Sequence, residues 1–250
     1  MCLLSFSWQP QSDTPLTLVS NRDEFHKRPT ATSAFWDDHP HILAGKDLEA
    51  GGTWMGVTHA GRFAALTNVR QMPSPYQGKT TRGNLVKDYL AGALSPEAYL
   101  SSICGEDYDG FNLIVGTRTE CWYLGNRPLK SNPQALAPGI YGLSNAQLNT
   151  PWPKTEHAKQ QLQEWLVSSN QKTLPLYALL SNQQKYSADL LPNTGIGEPW
   201  ESLLSSAFIV SPEYGTRSCT GLRIHQSSIE WQEVTMNPSG EEVMVTEHYL

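Results

Sequence analysis

The chain has 250 residues, 39% of them hydrophobic, with eight tryptophans and ten tyrosines, a composition that supports a packed core and excludes a disordered chain. A formal net charge of −6 and the absence of Lys/Arg blocks exclude the electrostatic footprint of a nucleic-acid or anionic-membrane binder. No apolar run approaches a membrane span, and no basic segment precedes a long apolar one at the start. The expectation is therefore a cytoplasmic protein without an integral membrane span. Cys2, Cys104, Cys121 and Cys219 are scattered, with no Cys-x-x-Cys, and read as free thiols rather than a disulfide framework or a zinc site.

Residues 2–8 alternate apolar and polar, Pro10 to Pro15 make a turn, and Leu16 to Ser20 return, which predicts an opening hairpin. Its second arm runs into Asn21-Arg22-Asp23-Glu24, where the alternation breaks. Residues 25–50, with Pro29 and His39-Pro40-His41, read as a loop. Gly51 to Gly56 then opens a strand, His59 to Arg62 turns, and Phe63 to Val69 completes a second hairpin. Helices are expected over Gly83 to Leu90 and from Ser95, where Ser-Pro-Glu reads as an N-cap followed by proline at the first helical position.

Phe111 to Thr117 and Glu120 to Leu124 predict a hairpin, and Gly139 to Asn145 a short strand with a polar tip. Ala158, Leu162, Trp165 and Leu166 fall at helical spacing, which predicts an amphipathic helix over Lys154 to Ser168. Leu191 to Pro199 reads as a surface loop. Four late strands are expected: Ala207 to Val210, Thr220 to His225, Ile229 to Thr235 and Glu242 to His248. Strands and helices in separate blocks imply an α+β fold, a four-layer αββα sandwich of two antiparallel sheets between helices. A single domain spans 1–250 in this reading.

Cys2 is the residue with the most chemistry. Removal of Met1 would leave a thiol and a free α-amine on one residue, and an amine titrating near roughly 7.7–8.0 can take the thiol proton at neutral pH. The resulting thiolate can attack an acyl carbon. A plain alternative is that Cys2 merely begins a buried strand. Adjacent strand residues face opposite sides, so Arg22 and Asp23 cannot both point at Cys2 unless the strand ends or bulges. The inward pair is then either Asn21 with Asp23 or Arg22 with Glu24.

The run Asn21-Arg22-Asp23-Glu24 spells the signature of the NRDE family, also called the transport and Golgi organization protein 2 family. Supporting blocks are Met1-Cys2, Ala44 to Asp47, Gly51 to Gly56, Leu66 to Asn68, Thr81 to Gly83, Gly142 to Asn145, Thr150 to Lys154 and Tyr214 to Ser218. The chain resembles that family from residue 1 to about Thr220, and through it the N-terminal nucleophile hydrolases of the cysteine acylase type. The hydrolase resemblance implies Cys2 as nucleophile, with Asp23 holding its amine and Arg22 or Arg217 keeping the thiolate ionised. Asn145, with Asn68 as second candidate, would hold the oxyanion. Such an enzyme would cleave a non-peptide C–N bond in a small acyl amide.

The family resemblance implies a different activity: chaperone-like binding and trafficking of haem toward haem-receiving proteins, or binding of an acyl-coenzyme A or related lipid. The ligand is in each case a small amphipathic acid. Arg22, Arg70, Arg82 and Arg217 are the candidates for its propionates or phosphates, with Asn21, Glu24, His26 and Trp54 also at the binding site. No Cys-x-x-Cys-His is present, which excludes covalent haem attachment by pattern. Iron-ligand candidates are His26, His39, His41 and Met72, with Cys2 and His59 alongside them. Haem in this reading is cargo rather than a catalytic cofactor, and no structural metal is expected.

Overall fold

A computed structural model describes residues 2–74, 78–129, 131–168 and 175–250. The chain opens with β1 (Cys2–Trp8), β2 (Leu16–Phe25), β3 (Thr30–Trp36), β4 (His39–Asp47), β5 (Met55–Thr58) and β6 (Phe63–Asn68). Helices α1 (Gly83–Ala91) and α2 (Pro96–Ser101) follow. Next come β7 (Phe111–Gly116), β8 (Cys121–Gly125), β9 (Gln134–Ala135), β10 (Gly139–Leu143) and α3 (Pro153–Val167). The short α4 (Trp200–Leu203) precedes β11 (Tyr214–Ile224), β12 (Ile229–Met236) and β13 (Glu242–Tyr249).

Two sheets result, one ordered β10-β1-β2-β11-β12-β13 and the other β3-β4-β5-β6-β7-β8-β9, with every pairing antiparallel. Period-two alternation assigns their faces. Leu4, Phe6 and Trp8 of β1, Leu16 and Leu18 of β2, and Trp231 of β12 meet Val57, Phe63 and Ile114 of the second sheet in a core between the sheets. The opposite face of the first sheet, through Leu3 and Val19, packs on Ala158, Leu162 and Trp165 of α3. The outer face of the second sheet, through Ala64, Leu66 and Val115, packs on Leu85, Val86 and Tyr89 of α1 and Leu100 of α2. The four layers are thus α, β, β and α, as the block order of the sequence implies.

Several boundaries differ from the sequence reading. β2 continues through the signature to Phe25, because Asn21, Arg22 and Asp23 are all buried and all paired across to β11. The stretch expected as a loop forms β3 and β4. Their pairing is interrupted twice, between Ala31 and Ala34 and again between Phe35 and Trp36, and the second irregularity falls at the Pro40 end, where a residue without an N–H is accepted. Residues Ala207 to Val210 are not a strand. The Phe208 N–H donates to the Asn182 carbonyl and the Ile209 N–H to Thr216 Oγ1, so these donors are diverted from a ladder. Ser95 caps α2 as expected, its hydroxyl accepting from the Ala98 N–H. No helix among the described residues is long and apolar enough to cross a membrane.

Gly52 is where the second sheet's β4–β5 connection meets the start of α1. A Cβ at Gly52 would lie 2.5 Å from the Gly83 carbonyl carbon, while the Thr53 N–H donates to the Gly83 carbonyl at 3.2 Å. Backbone cannot yield as a side chain can, so Gly52→Ala should destabilise the protein by about 1–3 kcal/mol. For a chain of this size, that corresponds to a fall of about 2–4 °C in Tm per kcal/mol. An unchanged thermal melt would contradict the close approach.

Candidate functional site

The site forms where β1, β2 and β11 end together. Cys2 pairs with Arg22, so both side chains leave the same face of the sheet, toward the core between the sheets. The Arg22 guanidinium lies 4.3 Å from the ring centroid of Trp54 on the facing layer, and its Nη2 is 3.9 Å from Asp47. Gly45 makes room for that ring, since a Cβ there would collide with Trp54. Asp23 leaves the opposite face, where its carboxylate accepts from Thr216 Oγ1 at 2.7 Å. Of the two inward pairs open to the sequence, Arg22 with Glu24 is the one that shares the Cys2 face.

A bulge makes this arrangement fit. Asp23 pairs with Thr216 and Arg22 with Ser218, leaving Arg217 as the extra residue. A cleft of about 130 Å³ opens at this point, lined among others by Cys2, Arg22, Asp23, Glu24, Trp54, Asn68 and Arg82. Arg28 also lines it and donates from Nε to Asp47 at 2.8 Å. Burial is the largest single influence and pushes the Asp47 carboxyl up, but the hydrogen bond and charge of Arg28 together with the Ala50 and Glu49 backbone N–H groups outweigh it and hold the carboxyl below the usual range. Arg82 donates from Nη1 to the Gly110 carbonyl at 3.1 Å and has no ion pair among the described residues.

Burial governs the titration of the central groups. It pushes the Cys2 thiol up, with the Asp23 charge acting in the same direction and Arg22 against it, so the thiol is protonated at neutral pH. Burial likewise raises the Asp23 carboxyl, opposed by Lys154 and by the Thr216 hydrogen bond. Lys154, on the first turn of α3, is 3% exposed and donates from Nζ to the Leu204 carbonyl at 2.7 Å. Burial lowers its pKa to about 8, with Asp23 opposing. A buried Arg70–Glu201 pair at 3.0 Å completes a set of four buried charges behind the cleft.

The family model described as Transport and Golgi organisation 2 matches residues 1–238. This chain belongs to the Transport and Golgi organisation 2 family. The Transport and Golgi organization protein 2 homolog of Homo sapiens is 36% identical over 245 residues, covering 88% of this chain and 87% of that relative. Transport and Golgi organization protein 2 of Drosophila melanogaster is 28% identical over 273 residues, covering 96% and 95%. Among solved structures, the C2A mutant of conjugated bile acid hydrolase from Clostridium perfringens superposes with a TM-score of 0.54 at 8% identity, covering 99% of this chain and 92% of that one. At that identity the similarity is one of fold: this family member shares the αββα architecture of that hydrolase.

Not every residue singled out in the sequence of this family member reaches the cleft. Arg217, being the bulged residue, turns its guanidinium to the Phe25 and Arg28 carbonyls and braces the turn after β2. Asn21 donates to the Leu180 and Ala207 carbonyls on the α3 side of the sheet. Asn145 donates its amide to the Asn68 carbonyl at 2.9 Å, and Arg70 returns a backbone N–H to the Asn145 carbonyl at 2.7 Å. That exchange makes a partition, with Asn68 on the cleft side and Arg70, Met72 and Asn145 lining a separate groove. His26 engages the Ser211 carbonyl at 3.0 Å, and His39 and His41 sit edge to face at the start of β4; none of the three lines the cleft. Met1, on whose removal the nucleophile reading turns, lies outside the described residues.

Lys154 is the residue that the sequence reading passed over, although a signal for it existed. Lys154, Ala158, Leu162 and Trp165 are spaced four, four and three apart, so a lysine stands on the apolar stripe of α3. Because burial lowers its folded-state pKa below its unfolded value, the unfolded chain binds more protons from pH about 8 up to the ordinary lysine range. Stability from this group therefore grows with rising pH across that window, by up to about 1.4 kcal/mol per pH unit. Chemical denaturation at pH 8 and pH 10 should show this gain in the wild type and its loss in Lys154→Met. Equal pH dependence of the two proteins would show that Lys154 does not titrate as a buried lysine.

Proposed function

We propose that this member of the Transport and Golgi organisation 2 family binds haem and passes it on, using its hydrolase-type fold as a carrier. The observation that carries the reading is the set of arginines gathered around Cys2 beside Trp54. A catalytic cysteine needs a thiolate beside an electropositive group and a nearby base. Here burial pushes the thiol up, and the Asp23 carboxylate is held by Thr216 on the opposite face of β2. A carrier needs instead donors for acid groups and an apolar wall. Arg22, Arg28 and Arg82 supply guanidinium donors, and Trp54 supplies a flat apolar wall. The NRDE resemblance, which implies haem traffic, spans nearly the whole chain.

A second reading is favoured by one feature: Cys2 begins β1 and opens into the cleft, in a fold shared with a conjugated bile acid hydrolase. As an amidohydrolase, the chain would lose Met1, and its new α-amine would take the thiol proton. Sulfur would then add to the amide carbon, the C–N bond would break with the proton returned to the leaving amine, and water would hydrolyse the thioester.

Haemin added to the purified protein should shift its Soret band with wild type and Cys2→Ala alike, because in the carrier reading the thiol is not the recognition element. A flat titration of the wild type overturns the carrier reading. Intact-mass measurement on protein from its native cell should find Met1 in place. A processed N-terminus together with amide hydrolysis abolished by Cys2→Ala would establish the hydrolase instead.

A further inference from the structure

The cleft beside Cys2, at about 130 Å³, is smaller than the roughly 300–1,000 Å³ of pockets that hold cofactor-sized molecules. Across the Asn68–Asn145 partition lies a groove of about 1000 Å³, lined by Val69 to Met72, Arg127 to Leu129, Asn145 to Gln147, Trp152 and the 192–195 loop. We infer that this groove, with Arg70 at its base, seats the body of an amphipathic acid and binds its carboxylate or phosphate. The inference rests on the carrier reading and moves the body of the cargo from the arginine-lined cleft, which is too small to hold it, to this groove.

The groove is a built structure. The Met72 N–H donates to the Thr194 carbonyl at 2.8 Å, joining its two walls. Gly195, with φ of +81°, packs so closely on Met72 that a Cβ would collide with the Met72 carbonyl. Thr194 donates both its N–H and its hydroxyl to Glu201 Oε1, and Glu201 Oε2 pairs with Arg70 Nη2 at 3.0 Å. Arg70 is therefore fixed from behind, and it is only 7% exposed. Its Nε and Nη1 are buried with no hydrogen-bond partner among the described residues. A buried guanidinium N–H without an acceptor is a standing cost, and an acid group that displaces part of its cover, the Trp152 ring above all, would remove it.

The remaining lining suits an apolar body. The Trp152 ring lies over the Arg70 guanidinium at 4.8 Å, half-buried, and presents an aromatic surface along the groove. Met72 is 52% exposed at the mouth, with Pro128 and Leu129 on the opposite wall. Arg127 donates from Nη1 to the Asn126 carbonyl and brings a second cation to that wall. A cation at the base, an aromatic face over it and a second cation in the lining match a flat or elongated acid better than a small neutral amide.

Haemin and palmitoyl-coenzyme A present the same acid-plus-apolar chemistry from two sources and can be titrated separately into the full-length protein. Arg70→Gln should weaken whichever ligand the wild type binds by about tenfold. Met72→Glu, an exposed change that spares the Arg70–Glu201 pair, should weaken it similarly through charge repulsion, with its thermal melt confirming the fold. The ligand whose Kd moves identifies the acid. Wild-type affinity retained in Met72→Glu and in folded Arg70→Gln overturns the groove assignment and leaves the carrier reading standing. A wild type that binds neither ligand overturns both.

Discussion

The alignment of β1, β2 and β11 at one end of the first sheet is the constraint from which the site follows. Pairing puts Cys2 opposite Arg22, and the extra residue Arg217 on β11 lets that ladder continue past the Arg22–Asp23 step. The guanidinium is thereby committed to the space between the sheets, against Trp54, and the carboxylate to the α3 layer, against Thr216 and near Lys154. A strand that buries charge on both faces needs partners on both, and they come from remote parts of the chain. The cleft is the gap left where those partners do not close over the strand ends.

Burying Asp23, Arg70, Lys154 and Glu201 in one region costs desolvation that hydrogen bonds and mutual attraction recover only in part. The layered apolar core offsets that cost, with Phe6, Trp8, Phe63 and Trp231 almost wholly buried between the sheets. The same desolvation holds Cys2 as a neutral thiol and draws Lys154 toward neutrality. Folding and chemistry are thus set by one balance here, the exclusion of water from the end of the sandwich. The residues that would be expected to act on a substrate are instead spent largely on one another and on backbone carbonyls.

Much of the architecture was legible because its signals are local. Alternation marked the hairpins, Ser95 and Pro96 marked the start of α2, and the block order gave the four layers. The strands β3 and β4 were not legible, since Pro29, Pro40 and the histidines between them resemble a loop, and their irregular pairing is decided by contact with β5. Continuation of β2 through Asn21 to Glu24 was hidden for another reason. Polar residues are ordinarily solvated, and nothing nearby in sequence reveals Trp54 or Thr216 as their partners. The faces of Arg22 and Asp23 were narrowed to two choices by strand geometry, but the outward turn of Arg217 depends on a bulge with no local sequence mark. Lys154 could have been found from its place on the apolar stripe of α3.

The Arg70–Glu201 pair has a consequence for how this sequence can drift. Neither member can be neutralised alone without leaving the other a buried charge without its counter-charge, yet both could change together to apolar groups of similar volume at little cost. Arg70 and Glu201 should therefore vary as a unit over evolutionary time. A lineage in which both turned apolar would keep the scaffold while losing the cation beneath Trp152.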